Sequence, residues 1–188
     1  LLDPFRHRAV LFVNSFLTPL QILREIFSHL GEDATSSNRQ VLIQDLHKAL
    51  LSYYERGQQI VLMIDEAHLV RSTNTLEELR LLLNCQMNDQ FLITLILLGQ
   101  KELRAKIAKA PALEQRLAIR YTLMPLDVQE TGELILHRLR VAGYTGEQNI
   151  FTPDAVYEIH KATGGTPRLI SQFADNALLI GMAKKFKL

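Results

Sequence analysis

Apolar residues fall along the first two thirds of the chain in two rhythms. Three blocks are short and continuous: Ala9 to Asn14 (AVLFVN), Ile60 to Ile64 (IVLMI) and Phe91 to Leu98 (FLITLILL). Uninterrupted runs of this kind predict strands covered on both faces, as in a parallel sheet flanked by helices. Between them the apolar positions recur at helical spacing. Thr18-Pro19 opens a helix with Thr18 as N-cap, Pro19 at the first helical position and Gln21 completing a capping box, and Gly31 stops it after Leu30. Glu32 to Ser36 reads as a loop. Ser37-Asn38-Arg39-Gln40 caps a second helix, with Val41, Leu42, Leu46, Leu50 and Leu51 at its apolar positions and an end near Gly57. A third helix is predicted from Thr75 to Cys85. Strand, helix and strand in alternation give an α/β fold with a doubly wound parallel sheet.

Beyond Pro125 the strand pattern stops and only helices follow. The expected division is therefore a core over residues 1–125 and a small helical unit over 126–188. Asp127-Val128-Gln129-Glu130 is a capping box for a helix reaching Val141, which Gly143 stops. Thr152-Pro153 opens the next helix, to Ala162, and Gly164-Gly165-Thr166-Pro167 is a tight turn into a last helix ending near Ala183. No internal repeat or low-complexity tract is present.

Composition narrows the function classes. With 188 residues and 47% hydrophobic content, the chain has enough material for a sizeable core. A net charge of +1 gives no bulk electrostatic case for nucleic acid or a membrane surface. The single cysteine, Cys85, excludes an internal disulfide, fits a reducing compartment and reads as a packing residue. No stretch approaches the ~18 apolar residues of a membrane span. The start Leu1-Leu2-Asp3-Pro4-Phe5-Arg6 is neither a signal peptide nor an initiator, so the chain reads as a fragment.

The most informative feature is the run that ends in Asp65-Glu66-Ala67-His68. Packing gives a core strand no reason to end in two adjacent carboxylates, and ligands of open α/β sheets gather at the carboxyl ends of strands. There, Asp65 can hold Mg²⁺ directly or through water, and Glu66 can polarise the water that attacks a γ-phosphate. The plain alternative is a strand followed by an acidic helix cap. Gln100, after Leu98-Gly99 at the end of a neighbouring strand, would reach the γ-phosphate or that water; otherwise it is a turn residue. Arg116 and Arg120, four apart, are predicted on one face of a helix, just before a strand-like segment from Tyr121 to Met124. One of them would act as an arginine finger toward a neighbouring subunit, worth roughly 10³ to 10⁵ in rate where such residues act, against a surface salt-bridging role. Arg168, at the start of the last helix, suits phosphate contact, against a plain solvated arginine at a helix start.

These residues, in this order, resemble the AAA+ ATPases. The sets that carry the likeness are Asp-Glu-Ala-His, Leu-Leu-Gly-Gln, Leu-x-Gln-Arg-Leu-Ala-x-Arg-Tyr-x-Leu-x-Pro-Leu and Gly-Gly-Thr-Pro-Arg. The match is to the ExeA/GspA type associated with bacterial secretion and pilus systems, related to ATPases that assist transposition. The resemblance implies a three-layer P-loop NTPase-like core with a small helical lid, binding ATP and Mg²⁺. It implies Asp65 and Glu66 as Walker B, Gln100 as sensor 1, Arg116 ahead of Arg120 as the arginine finger, and Arg168 as sensor 2. It also implies self-association into an oligomer, secretion or pilus assembly components as partners, and a cytoplasmic place, as a domain of an inner-membrane protein.

The sequence departs from that family in one respect: no Gly-x-x-x-x-Gly-Lys-Ser/Thr loop and no Gly-Lys pair occur. Leu1-Leu2 then reads as the tail of the helix that follows such a loop, and this chain alone is expected to bind ATP poorly and to be inactive. Two other functions fit the resemblance: a transposition accessory ATPase that binds DNA and recruits a transposase, and a catalytically inactive scaffold. The helix-turn-helix outline of Ala155 to Leu179 is a poor DNA reader, because Arg168 is the only arginine of its second helix and its lysines come only at the end. The six histidines form no metal motif; His68 has no partner at i+4 and reads as a supporting or surface residue after the acid pair.

Overall fold

Strands form where the apolar blocks predict them, and their pairing fixes the acid pair's location. The computed structural model describes residues 2–12, 16–146 and 150–184. β1 (His7–Phe12) is followed by α1 (Pro19–Leu30), α2 (Arg39–Glu55) and β2 (Gln59–Ile64). After a short 3-10 turn at Ala67–Leu69 come α3 (Thr73–Leu82), β3 (Gln86–Met87), β4 (Gln90–Phe91) and β5 (Ile93–Leu97). Two short helices, α4 (Glu102–Ile107) and α5 (Pro111–Glu114), precede α6 (Val128–Val141), α7 (Pro153–Thr163) and α8 (Pro167–Ala183).

β1, β2 and β5 form one parallel sheet in that order, with Phe12 opposite Ile64 and Ile64 opposite Leu97. β2 is therefore the central strand. Ile60, Val61, Leu62 and Ile64 are all at most 2% exposed, which is why it reads as an unbroken apolar run. α1 starts as expected: Thr18 Oγ1 accepts from the Gln21 N–H, Gln21 Oε1 accepts from the Thr18 N–H, and Gly31 ends the helix in the left-handed region. Asn38 caps α2 by accepting from the Gln40 N–H at 2.9 Å. Ile22, Leu23, Ile26, Leu42, Leu46 and Leu50 pack with the sheet residues and with Leu76 and Leu79 of α3 in one core. Cys85 is buried there, and burial pushes its thiol pKa up. Glu78 of α3, 2% exposed, pairs with Arg39 at the start of α2 at 2.7 Å.

The chain divides into two compact units, Leu1–Arg120 and Tyr121–Leu188. Among the described residues the second holds α6, α7 and α8, in which Ile135, Val156, Ile159, Ile170 and Ala174 form a separate core. Asp127 and Glu130 make the expected reciprocal capping box, and Thr152 caps α7. Among the described residues no helix is long and apolar enough to cross a membrane.

Several elements differ from the pattern read in the sequence or lie outside the described residues. Val13 and Asn14, the end of the first expected strand, lie outside the described residues. α3 begins at Thr73, capped by Ser72, and ends at Leu82 rather than Cys85. The third apolar block is not one strand: Phe91 pairs with Gln86 in a separate two-residue hairpin, whose turn residues Asn88 and Asp89 both have positive φ (48° and 62°). Asn and Asp tolerate that backbone, the one a tight two-residue hairpin turn needs.

Arg116 and Arg120 depart furthest from the helical pattern of their spacing. The helix stops at Glu114, so the two arginines share no helical face. Arg120 folds back instead, donating from Nη2 to the Glu114 carbonyl at 3.2 Å and pairing with its carboxylate at 3.1 Å. That carbonyl is the acceptor which continuation of the helix would give to Ala118. Tyr121 to Met124 likewise forms no strand, and Tyr121, Leu123 and Met124 are 85%, 86% and 76% exposed.

Candidate functional site at the end of the central strand

The ladder ends at Asp65. Its N–H donates to the Phe12 carbonyl at 3.0 Å, while the Ile64 carbonyl accepts from Leu98 N–H at 2.9 Å, so both neighbouring strands hold the last residues of β2. Beyond that point the chain turns sharply. Asp65 Oδ1 accepts from the Glu66 N–H at 2.8 Å, and Glu66 takes a left-handed conformation, φ 49° and ψ 34°. For a residue with a long side chain that region is costly by roughly 1 kcal/mol or more.

The turn is held from three directions. The Ala67 N–H donates to the Leu98 carbonyl at 2.8 Å, tying it to the end of β5, and Ala67 is 1% exposed. Lys106 of α4 donates from Nζ to the carbonyls of both His68 and Val70. Gly99 lies so close that a Cβ there would meet the His68 backbone N at 3.2 Å and Leu103 Cδ2 at 3.1 Å. A side chain at 99 would force the Gln100 segment away from the acidic turn.

The result is a small polar cluster. Asp65, Glu66 and Gln100 are solvent-exposed, and His68, with a side chain 12% exposed, stands between the last two. His68 Nδ1 is 3.2 Å from Glu66 Oε2 and 3.4 Å from the Gln100 backbone N. Three residues singled out in the sequence therefore meet at one end of the sheet. Among the described residues, neither Arg116 nor Arg120 bonds to this cluster. Arg120 is engaged by Glu114, and the exposed Arg116 guanidinium makes no ion pair among them. Arg168 belongs to the second unit, exposed at the second position of α8. Ahead of it, Gly165 has φ 74°, and its carbonyl accepts from the Leu126 N–H at 2.9 Å.

Two contributors have no individual signal in the sequence. Lys106 is one of many surface-type lysines until α4 is placed beside the acidic turn. His68 follows Glu66 by two, a spacing that brings side chains together only because Glu66 is left-handed and a 3-10 turn follows. For a divalent ion, no group of three or more His, Cys, Asp or Glu side chains gathers among the described residues. Asp65 supplies a single carboxylate. That fits Mg²⁺ carried with a nucleotide, which keeps most of its waters and takes one or two carboxylates plus phosphate oxygens.

The AAA domain family matches residues 4–107, from before β1 through α4. The chain belongs to this family. The matched stretch contains the whole polar cluster with His68, Gly99 and Lys106, whereas Arg116, Arg120 and Arg168 lie outside it. General secretion pathway protein A of Aeromonas hydrophila is 37% identical over 149 residues, 77% of this chain and 26% of that protein. This AAA domain thus spans about a quarter of the length of that relative, and the likeness to the ExeA/GspA type holds. Its parallel sheet with flanking helices is of the P-loop NTPase-like α/β class.

Proposed function

We propose that this AAA domain is the hydrolytic core of an ATPase that serves assembly of a bacterial secretion or pilus component. One observation carries the reading: the exposed acid pair Asp65-Glu66 stands at the carboxyl end of the central parallel strand, with Gln100 of the adjacent strand end beside it. In such sheets that edge is where nucleotide phosphates sit.

In this reading Asp65 would hold Mg²⁺ brought with the nucleotide, and the ion would supply neutralisation of phosphate charge. Glu66 accepts a hydrogen bond from the attacking water and aligns it with the γ-phosphate. The Gln100 carboxamide, exposed at the cluster's rim, orients the same water or a γ-phosphate oxygen. Arg116 is the arginine finger offered to a neighbouring copy, since Arg120 is already committed to Glu114. Arg168, at the start of α8, contacts phosphate and couples the helical unit to nucleotide state. The output is conformational change in a cytoplasmic oligomer, consistent with the secretion role in the relative's name.

The test uses the full-length natural protein, because these 188 residues contain no Gly-x-x-x-x-Gly-Lys-Ser/Thr loop. Glu66→Gln is expected to lower the ATP turnover number by about 10² to 10⁴ while ATP binding is retained, the range for loss of a positioned general base. Unchanged turnover in that variant overturns the assignment.

A further inference from the structure

We propose that His68 is a positioning residue for Glu66, and that it shares one nitrogen between Glu66 and the backbone of Gln100. The inference rests on the reading of Glu66 as the group that aligns water. A glutamate side chain that is 48% exposed and flexible must be held to act on a water at one place. His68 Nδ1, 3.2 Å from Glu66 Oε2, is the partner given by the geometry, and the ring is itself firmly seated. Lys106 holds the His68 carbonyl, and a Cβ at Gly99 would meet Nδ1 at 3.4 Å, so the ring lies directly against the β5 end.

The nitrogen faces two demands. The Gln100 N–H, 3.4 Å away, can only donate, so Nδ1 must accept from it; the Glu66 carboxylate can only accept, so Nδ1 must donate to it. One nitrogen cannot do both at once. With the proton on Nδ1 the imidazole holds Glu66, and with the proton on Nε2 it accepts from Gln100 and leaves Glu66 unheld. The position of the Gln100 segment therefore sets whether Glu66 is held. Movement of that segment on phosphate contact would free Nδ1 from Gln100; the ring, 12% exposed, would then give its Nε2 proton to solvent water and take one from water at Nδ1, donating it to Glu66 and so coupling phosphate sensing to water alignment.

The experiment is ATP turnover by full-length protein carrying His68→Ala, His68→Asn or His68→Gln, each alone and with Glu66→Gln. Asparagine places an amide N–H where Nδ1 stands; glutamine places it nearer to Nε2. The expected result is an about 10- to 100-fold fall in kcat for His68→Ala with KM unchanged, the scale seen when a group orienting an acting ligand is removed. Asparagine restores most of the loss and glutamine does not, and His68→Ala adds nothing in the Glu66→Gln background. The proposal is overturned if His68→Ala keeps its kcat while Glu66→Gln loses it, if asparagine is no better than alanine, or if the two losses simply add. Full turnover in Glu66→Gln itself would remove the underlying reading of Glu66 as well, which distinguishes the two failures.

Discussion

Two turns of this chain use left-handed backbone to present a polar residue, and they solve the same geometric problem with opposite residue choices. In the second unit, Gly164 and Gly165, at φ 56° and 74°, precede Arg168. In the first, Glu66 at φ 49° occupies that region with a full side chain. Glycine at 165 is dictated by space, since a Cβ there would lie 2.1 Å from the Leu126 carbonyl oxygen. The other described non-glycine residues with positive φ are Asn88 and Asp89, types that tolerate it in a hairpin turn. Glu66 has no such conformational excuse. At Gly165 the backbone shape chooses the residue; at Glu66 a carboxylate stands despite the backbone, and that second case marks chemistry.

That contrast can be broken at either turn. The largest effect is expected at the glycine turn: Gly165→Ala adds left-handed strain of about 1–3 kcal/mol and a steric overlap with Leu126, so its total should reach about 3 kcal/mol or more. Thermal or denaturant unfolding of this chain should show it, and a wild-type midpoint would mean that sterics do not set that turn. Next comes Lys106→Met, which removes the charged donor from the His68 and Val70 carbonyls. A cost of about 1.5–3 kcal/mol is expected, with a fall in ATP turnover of the full-length protein as the acidic turn loosens. If stability drops and turnover does not, the clamp supports the fold alone.

Legibility followed the range of the interactions. Capping boxes act within four residues, so Thr18 with Gln21 and Asp127 with Glu130 could be read directly, as could Gly31. β2 was legible because it is the central strand and both its faces are buried, leaving one long apolar run that ends at Asp65. The Asn88-Asp89 hairpin was hidden because Phe91 merges with the apolar block of β5, although the Asn-Asp pair was the available cue. The Arg116 and Arg120 spacing matched a helix, but Arg120 itself takes the Glu114 carbonyl that a longer helix would use. In the site, Asp65, Glu66 and Gln100 were readable as strand-end polar residues. Lys106 was not, because it reaches its carbonyls across 38 and 36 positions of sequence. The role of His68 depends on the left-handed turn at Glu66, which no local propensity for glutamate predicts.

Glu66 holds its carboxylate in place at a cost to the backbone. The direct measurement pairs stability and turnover in Glu66→Gly. Denaturant unfolding of this chain should show a gain of about 1 kcal/mol as the left-handed strain is relieved. ATP turnover of the full-length variant should fall as far as that of Glu66→Gln. A Glu66→Gly protein that is less stable than wild type would mean that the left-handed turn carries no strain, and one that still hydrolyses ATP at the wild-type rate would mean that the carboxylate is not needed.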